Sequence, residues 1–278
     1  MTVPFLGVGI GLRVPHYADI HAGEPAVDFF EIISENFMVD GGPPLRHLER
    51  VMDRFPVVQH GVSMSIASAE PLDFEYLARL KRLTRRTRTP WFSDHLCWTR
   101  HDGHNYHDLL PVPYTVEIAD YVAEKARIVQ DYLELPFALE NLSSYVSFAS
   151  SQMTEWQFYR HVVETADVYM MLDVNNVFVS AVNHDFDALA YLRDLPYERV
   201  LQMHVAGHTE LADGSLLDTH NHHVRDEVWQ LFRFAQHQVG AISTILEWDS
   251  DHLGLEATVA EANIAREHMM EPTHEHAS

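Results

Sequence analysis

The sequence predicts a (β/α)8 barrel built as one domain. Three observations predict it. Eight short apolar runs recur along the chain, helical periodicity fills most of the gaps between them, and the length of 278 residues is close to the ~250 typical of this fold. The runs are mostly apolar rather than strictly alternating, as expected of parallel strands covered on both faces.

The first run is FLGVGIGL (residues 5–12), and DFFEIISE (28–35) is the second. LRHLERVMDRF reads as the helix before the third run, PVVQHGVS (56–63). LDFEYLARLKRLTRR has apolar residues at 72, 74, 77, 80 and 83, near helical spacing, and leads into PWFSDHLCW (90–98). YTVEIADYVAEKARIVQDYL precedes PFALENL (136–142). TEWQFYRHVVETA opens on Thr154, a suitable N-cap, and precedes VYMMLDVN (168–175). VLQMHVAG (200–207) is followed by the helix VRDEVWQLFRFAQHQ and by STILEWD (243–249), and EATVAEANIAREH closes the barrel domain, 1–268. Residues 269–278 read as a polar tail. A doubly wound sheet binding a nucleotide is a poor rival, because GVGIG (7–11) leads into no convincing helix.

Composition narrows the function. Nineteen Lys+Arg against 41 Asp+Glu give a net charge of −22, which repels nucleic acid and anionic membranes. No apolar run is long enough to span a bilayer, the N-terminus lacks the features of a signal peptide, and one cysteine, Cys97, allows no internal disulfide; a cytoplasmic location is expected. The 20 histidines, with so many carboxylates, lean toward a metal protein.

Polar residues fall where a barrel gathers its chemistry, toward the C-terminal ends of strands. Six successive runs carry His60, His95, Glu140, Asp173, His204 and Glu247. Singly, such a histidine is more often a hydrogen-bonded core residue, and such an acid a helix N-cap. Together, three buried acids would repel or hold protons unless cations join them. Six candidates exceed the three or four ligands of one zinc ion and suggest two ions, with Glu140 as the natural bridge. Asp218 and His220, in LLDTHNHH, stand two apart and face one way in an extended segment; with Asn176 they form a candidate third site, against the alternative of an ordinary polar loop. His208 is a candidate to orient a ligand or substrate from outside the ligand ring.

The blocks SENFMVDGG, HGVSMSIAS, SDHLCW, DLLPVPYT, LENLSSY, LDVNNVFVSAVNHDFD, HVAGH, DTHNHHV and LEWD occur in this order between Gly7 and Asp249. In them the chain resembles the multinuclear non-haem iron-dependent oxidative enzymes. The resemblance implies a TIM barrel with two or three iron ions in mixed Fe(II)/Fe(III) states and O2 as co-substrate. It implies oxidation of a ribosomally made, cysteine-containing precursor peptide, with a small partner protein that binds the peptide leader. The implied two-iron core is His60, His95, Glu140, Asp173, His204 and Glu247, and the implied third site Asn176, Asp218 and His220. A zinc or manganese barrel acting as a phosphodiesterase or sugar isomerase is the alternative enzyme, and a non-catalytic metal-binding protein the alternative outside catalysis.

Overall fold

The computed structural model describes residues 3–251 and 253–270, with Met270 described in its backbone alone. All eight predicted strands form: β1 (Val8–Gly11), β2 (Phe29–Ile33), β3 (Val57–Gly61), β4 (Phe92–His95), β5 (Phe137–Glu140), β6 (Tyr169–Asp173), β7 (Val200–Ala206) and β8 (Ser243–Glu247). They pair in parallel into a closed barrel, consecutive strands side by side and β8 hydrogen-bonded back to β1. The helices are α1 (Tyr17–Ala22), α2 (Pro43–Met52), α3 (Phe74–Thr87), α4 (Val116–Leu133), α5 (Glu155–Ala166), α6 (Val174–His184), α7 (Ala188–Arg193), α8 (Asp226–Val239) and α9 (Leu255–Met270). No described helix is long and apolar enough to cross a membrane.

Local chemistry sets the helix starts. Asp73 accepts hydrogen bonds from the backbone N–H of Glu75 and Tyr76 to open α3. Thr154 caps α5 as expected, in a reciprocal box with Gln157. Three features depart from the sequence reading. Asn175 and Asn176, expected at a strand end, lie in the first turn of α6, because Asp173 ends β6 and caps the helix at once. A two-stranded hairpin, Trp98–His101 with His104–Leu110, stands between β4 and α4. Helix α9 runs to Met270, two residues into the expected tail, whose remainder lies outside the described residues.

The barrel interior has an apolar floor of Phe29, Val58, Trp91, Ala138, Met171, Leu201 and Ile245, all buried. Side chains alternate along a strand, so the residue two positions on shares the face. On β2, β3, β5, β6 and β8 that residue is Glu31, His60, Glu140, Asp173 and Glu247. The apolar floor therefore lies directly beneath a polar layer. Strand β7 reaches the layer differently. Its pairing with β6 slips between Met170↔Val200 and Met171↔Gln202, a bulge at Leu201 that reverses the alternation. Gln202 and His204 thereby face inward; without the slip His204 would point at the helices.

Candidate metal centre

The polar layer resolves into two buried clusters that share one residue. His60, His95 and Glu140 form the first; Glu140, Asp173, His204 and Glu247 form the second. In each, one potential ligand atom per residue lies within 4.8 Å of all the others. The six strand-borne residues predicted from sequence are thus brought together, and all six are buried.

In the first cluster the strands fix the rings. His95 Nδ1 donates to the carbonyl of Gly61 at 3.1 Å, and His60 Nδ1 donates to Ser93 Oγ at 3.0 Å. Each Nε2 is left as a lone pair. These two lone pairs lie 3.4 Å apart, and 3.2 and 3.1 Å from Glu140 Oε2. Three acceptors facing one another repel. Their separations match the ~3.0–3.4 Å spacing of neighbouring ligands around an ion bound at 2.0–2.1 Å. Glu140 Oε2 makes no hydrogen bond. Burial holds both rings below the usual histidine range, and for His60 the adjacent His95 and His204 add to it, so both are neutral at pH 7.

The other oxygen of Glu140 turns to the second cluster. Oε1 is 3.1 Å from His204 Nδ1, and Glu247 Oε2 is at the same distance from that nitrogen. Asp173 divides its oxygens between two tasks: Oδ1 accepts from the Asn176 N–H at 2.7 Å as the α6 N-cap, and Oδ2 is buried without a hydrogen bond. Asn141 grips the Asp173 backbone at both N–H and C=O. Burial, with Glu140 and Asp218 adding to it, pushes the Asp173 carboxyl well above its ordinary range. Glu140 is pushed up to about 7, by burial first and by Glu247 and Glu31 next, with His204 opposing. Glu247 is buried too, but His204 and His220 hold it down to about 2. The layer therefore holds more buried acid than its histidines can neutralise, and bound cations would relieve it.

The third expected group is only partly assembled. His220 Nε2 is 2.6 Å from Asp218 Oδ1, without hydrogen-bond alignment. Asn176 lines the same cavity; its Nδ2 is tied to the Asn141 carbonyl and its Oδ1 is buried without a partner. On its other side His220 Nδ1 meets Asp249 at 2.9 Å and Glu247 at 3.5 Å, a second close set around the same ring. Asp249 is in turn held by Arg13. His208 acts at one remove: its Nδ1 donates to Asn175 Oδ1 at 2.7 Å, and Asn175 Nδ2 donates to Asp218 Oδ1 at 2.8 Å.

Sequence reasoning missed Glu31. It lies on β2, 2% exposed, with Oε1 3.0 Å from His204 Nε2. The signal was a lone acid inside the apolar run DFFEII, on the inward face. Cys97 is buried just beyond β4, and burial raises its thiol well above the usual range, so it is no thiolate. The cavity above the clusters is walled by Ile33, Val62, Leu109 and Leu142, with Ser143 and Thr219 at its polar side.

A model of the family described as RiPP precursor modification enzyme MbnB/TglH/ChrH matches residues 7–270. A UPF0276 protein of Caulobacter vibrioides (strain NA1000 / CB15N) is 48% identical over 264 residues, covering 95% of this chain and 94% of its own. The UPF0276 protein Anae109_1558 of Anaeromyxobacter sp. (strain Fw109-5) is 50% identical over 252 residues, covering 91% and 88%. Among solved structures, the IOLI protein with a binding zinc atom aligns at a TM-score of 0.65 and 10% identity, over 95% of this chain and 98% of that one. D-psicose 3-epimerase of Clostridium cellulolyticum H10 aligns at 0.61 and 14% identity, over 94% and 97%. Likeness at such identity concerns the barrel alone.

Proposed function

The chain belongs to the RiPP precursor modification enzymes of the MbnB/TglH/ChrH family, and on that premise we propose that it is an O2-dependent, multinuclear non-haem iron enzyme that oxidises a ribosomally made peptide at cysteine. The observation that carries the metal reading is the meeting of the His60, His95 and Glu140 lone pairs beside the unpartnered Asp173 Oδ2. His60, His95, Asp173, His204 and Glu247 would hold two ions, with one oxygen of Glu140 turned to each. Asn176, Asp218 and His220 would hold a third. Imidazole and carboxylate donors suit iron, which supplies electron transfer toward O2 and an open position for a thiolate.

The rest is done by the chain itself. His60 and His95 arrive neutral and already oriented, so no proton has to leave them when a cation binds. Ile33, Val62, Leu109 and Leu142 form an apolar collar that limits water around a cysteine side chain. Ser143 steadies Asp218 by donating its hydroxyl to Oδ2 at 3.0 Å. Asn175 and His208 fix Asp218 rather than touch substrate. A small leader-binding partner protein and a cytoplasmic setting complete the reading.

The test is metal analysis after anaerobic purification, followed by O2 electrode measurements with a cysteine-containing precursor peptide. Two or three irons per chain and peptide-dependent O2 uptake are expected. Zinc or manganese with no O2 uptake would replace this reading with a hydrolase or isomerase; stoichiometric binding without turnover would make it a metal-binding protein.

A further inference from the structure

We infer that Glu31 is a positioning residue for the metal centre: it decides which nitrogen of His204 faces the clusters. The inference rests on the metal reading above and deepens it.

A histidine inside a barrel can turn either nitrogen toward an ion. His204 lies between two acidic environments. Nδ1 faces Glu140 and Glu247, each at 3.1 Å. Nε2 faces Glu31, whose Oε1 and Oε2 lie 3.0 and 3.2 Å away. Burial opposes a charge on the ring, but Glu247, Glu31 and Glu140 hold the metal-free ring well above the usual histidine range. Once an ion takes one nitrogen only the other keeps its N–H, and one side must receive the lone pair. A chain of groups with fixed polarity settles which. The Trp91 indole only donates, and gives its N–H to Gln202 Oε1 at 2.8 Å. That fixes the Gln202 amide, whose Nε2 donates to Glu31 Oε2 at 2.5 Å. Glu31 Oε2 also takes the His204 Nε2–H at 3.2 Å, with Oε1 3.0 Å from the same nitrogen. The Gln202 Nε2, with its second N–H, also lies 2.9 Å from His204 Nε2, but a lone pair on that nitrogen would face both oxygens of a buried carboxylate, so the Nε2–H bonded to Glu31 is favoured. Trp91, Gln202, Glu31 and His204 are all buried, so water supplies no substitute. When an ion binds, Nδ1 is the nitrogen left to it, directed between Glu140 and Glu247. A carboxylate on the far nitrogen also raises the basicity of the near one and locks the ring angle.

The role needs a carboxylate in particular. Two donors, Gln202 Nε2–H and His204 Nε2–H, converge on Oε2, and Oε1 lies 3.0 Å from the same His204 nitrogen. A glutamine at position 31 has one oxygen, so one donor would meet an N–H. Glu31→Gln is therefore nearly isosteric yet breaks the relay. Combining Glu31→Gln with Gln202→Glu rebuilds it. The carboxylate, moved to position 202, would accept from Trp91 with one oxygen, and from His204 and the amide at position 31 with the other.

The experiment is a zinc titration of the apo-protein, competed with a chelator, for the wild type, E31Q and the E31Q/Q202E pair, with thermal melting of each apo form as the folding control. We expect metal affinity to fall about 10–100-fold in E31Q and to recover largely in the exchanged pair. Volume alone would leave the exchanged pair no tighter than E31Q, and unchanged affinity in a folded E31Q would overturn the assignment. Nitrogen-15 NMR of histidine-labelled, zinc-loaded wild type reads the tautomer without any variant: a protonated Nε2 on His204 is expected, and a protonated Nδ1 would overturn it. A wild type that takes up no metal in this titration would instead defeat the metal reading, a separate result.

Discussion

Removing Glu140 should cost more metal than removing any histidine around it. Its two oxygens serve different clusters, Oε2 with His60 and His95 and Oε1 with His204. Glu140→Ala is expected to lose more than one ion per chain and to retain less metal than His95→Ala, measured by elemental analysis on folded protein. Full metal and activity in Glu140→Ala would sink the bridging assignment. Away from the centre, Glu155 offers a test by pH. It sits under the Tyr114 and Tyr191 hydroxyls, and burial pushes its carboxyl up to about 7 from 4.5. The folded state thus holds the proton more tightly than the unfolded one. The associated stability is full below about pH 4.5 and is lost as pH rises through 7, at most about 3 kcal/mol. Glu155→Gln should flatten this fall and melt higher than wild type at pH 8; an unchanged melting profile from pH 5 to 8 would show that the carboxyl titrates normally.

At the scale of elements, the six core candidates ride on strands, whereas Asp218 and His220 ride on the segment after the short hairpin strand Leu216–Leu217. Asn176 is a neutral amide, so that set carries one formal negative charge, and a loop costs more entropy to fix. The third ion should leave first on chelation, and Asp218→Ala should keep two ions. Loss of all three in one cooperative step would contradict the ranking. His208→Ala should weaken the same ion, because Asn175 then loses the partner that aims it at Asp218. This contrast between strand and loop also explains what could be read in advance. Eight apolar runs became eight strands, and the strand-borne candidates that cluster in the barrel stood out because each is a polar residue in an apolar run. The bulge at Leu201 could not: alternation counted from Leu201 points His204 outward, and only pairing with β6 reveals the slip. The hairpin after β4 was hidden for a related reason. Its strand His104–Leu110 is polar and largely exposed, so it carries no burial pattern. Glu31 was passed over because its partner, His204, is 173 residues away.

Over the whole molecule, charge is uneven. Nine of the 19 Lys and Arg lie between residues 46 and 88, against five acids there, so the rest of the chain holds the acid excess behind the net −22. Self-repulsion in that remainder destabilises the compact state and is screened by salt. Raising sodium chloride from about 10 to 150 mM, where the Debye length shrinks from roughly 30 to 8 Å, should raise the melting temperature of the metal-free protein. A falling melting temperature would mean that ion pairs such as Arg160–Asp194 and Arg199–Asp167 outweigh the repulsion. Metal should add its own stabilisation, growing with the logarithm of free metal concentration.

The closure of β8 onto β1 has a consequence for how the protein would acquire its ions in the cell. Glu247 is contributed by the last barrel strand and Glu140 by the fifth, so an unfinished chain on the ribosome lacks one wall of the second cluster. On the proposed two-ion reading, the second cluster would be complete only once the barrel has closed. Loading of that cluster would follow closure, and a shut barrel offers fixed distances rather than a flexible tangle of donors. Choice among competing metals then falls to shape and supply rather than to the order in which ligands emerge.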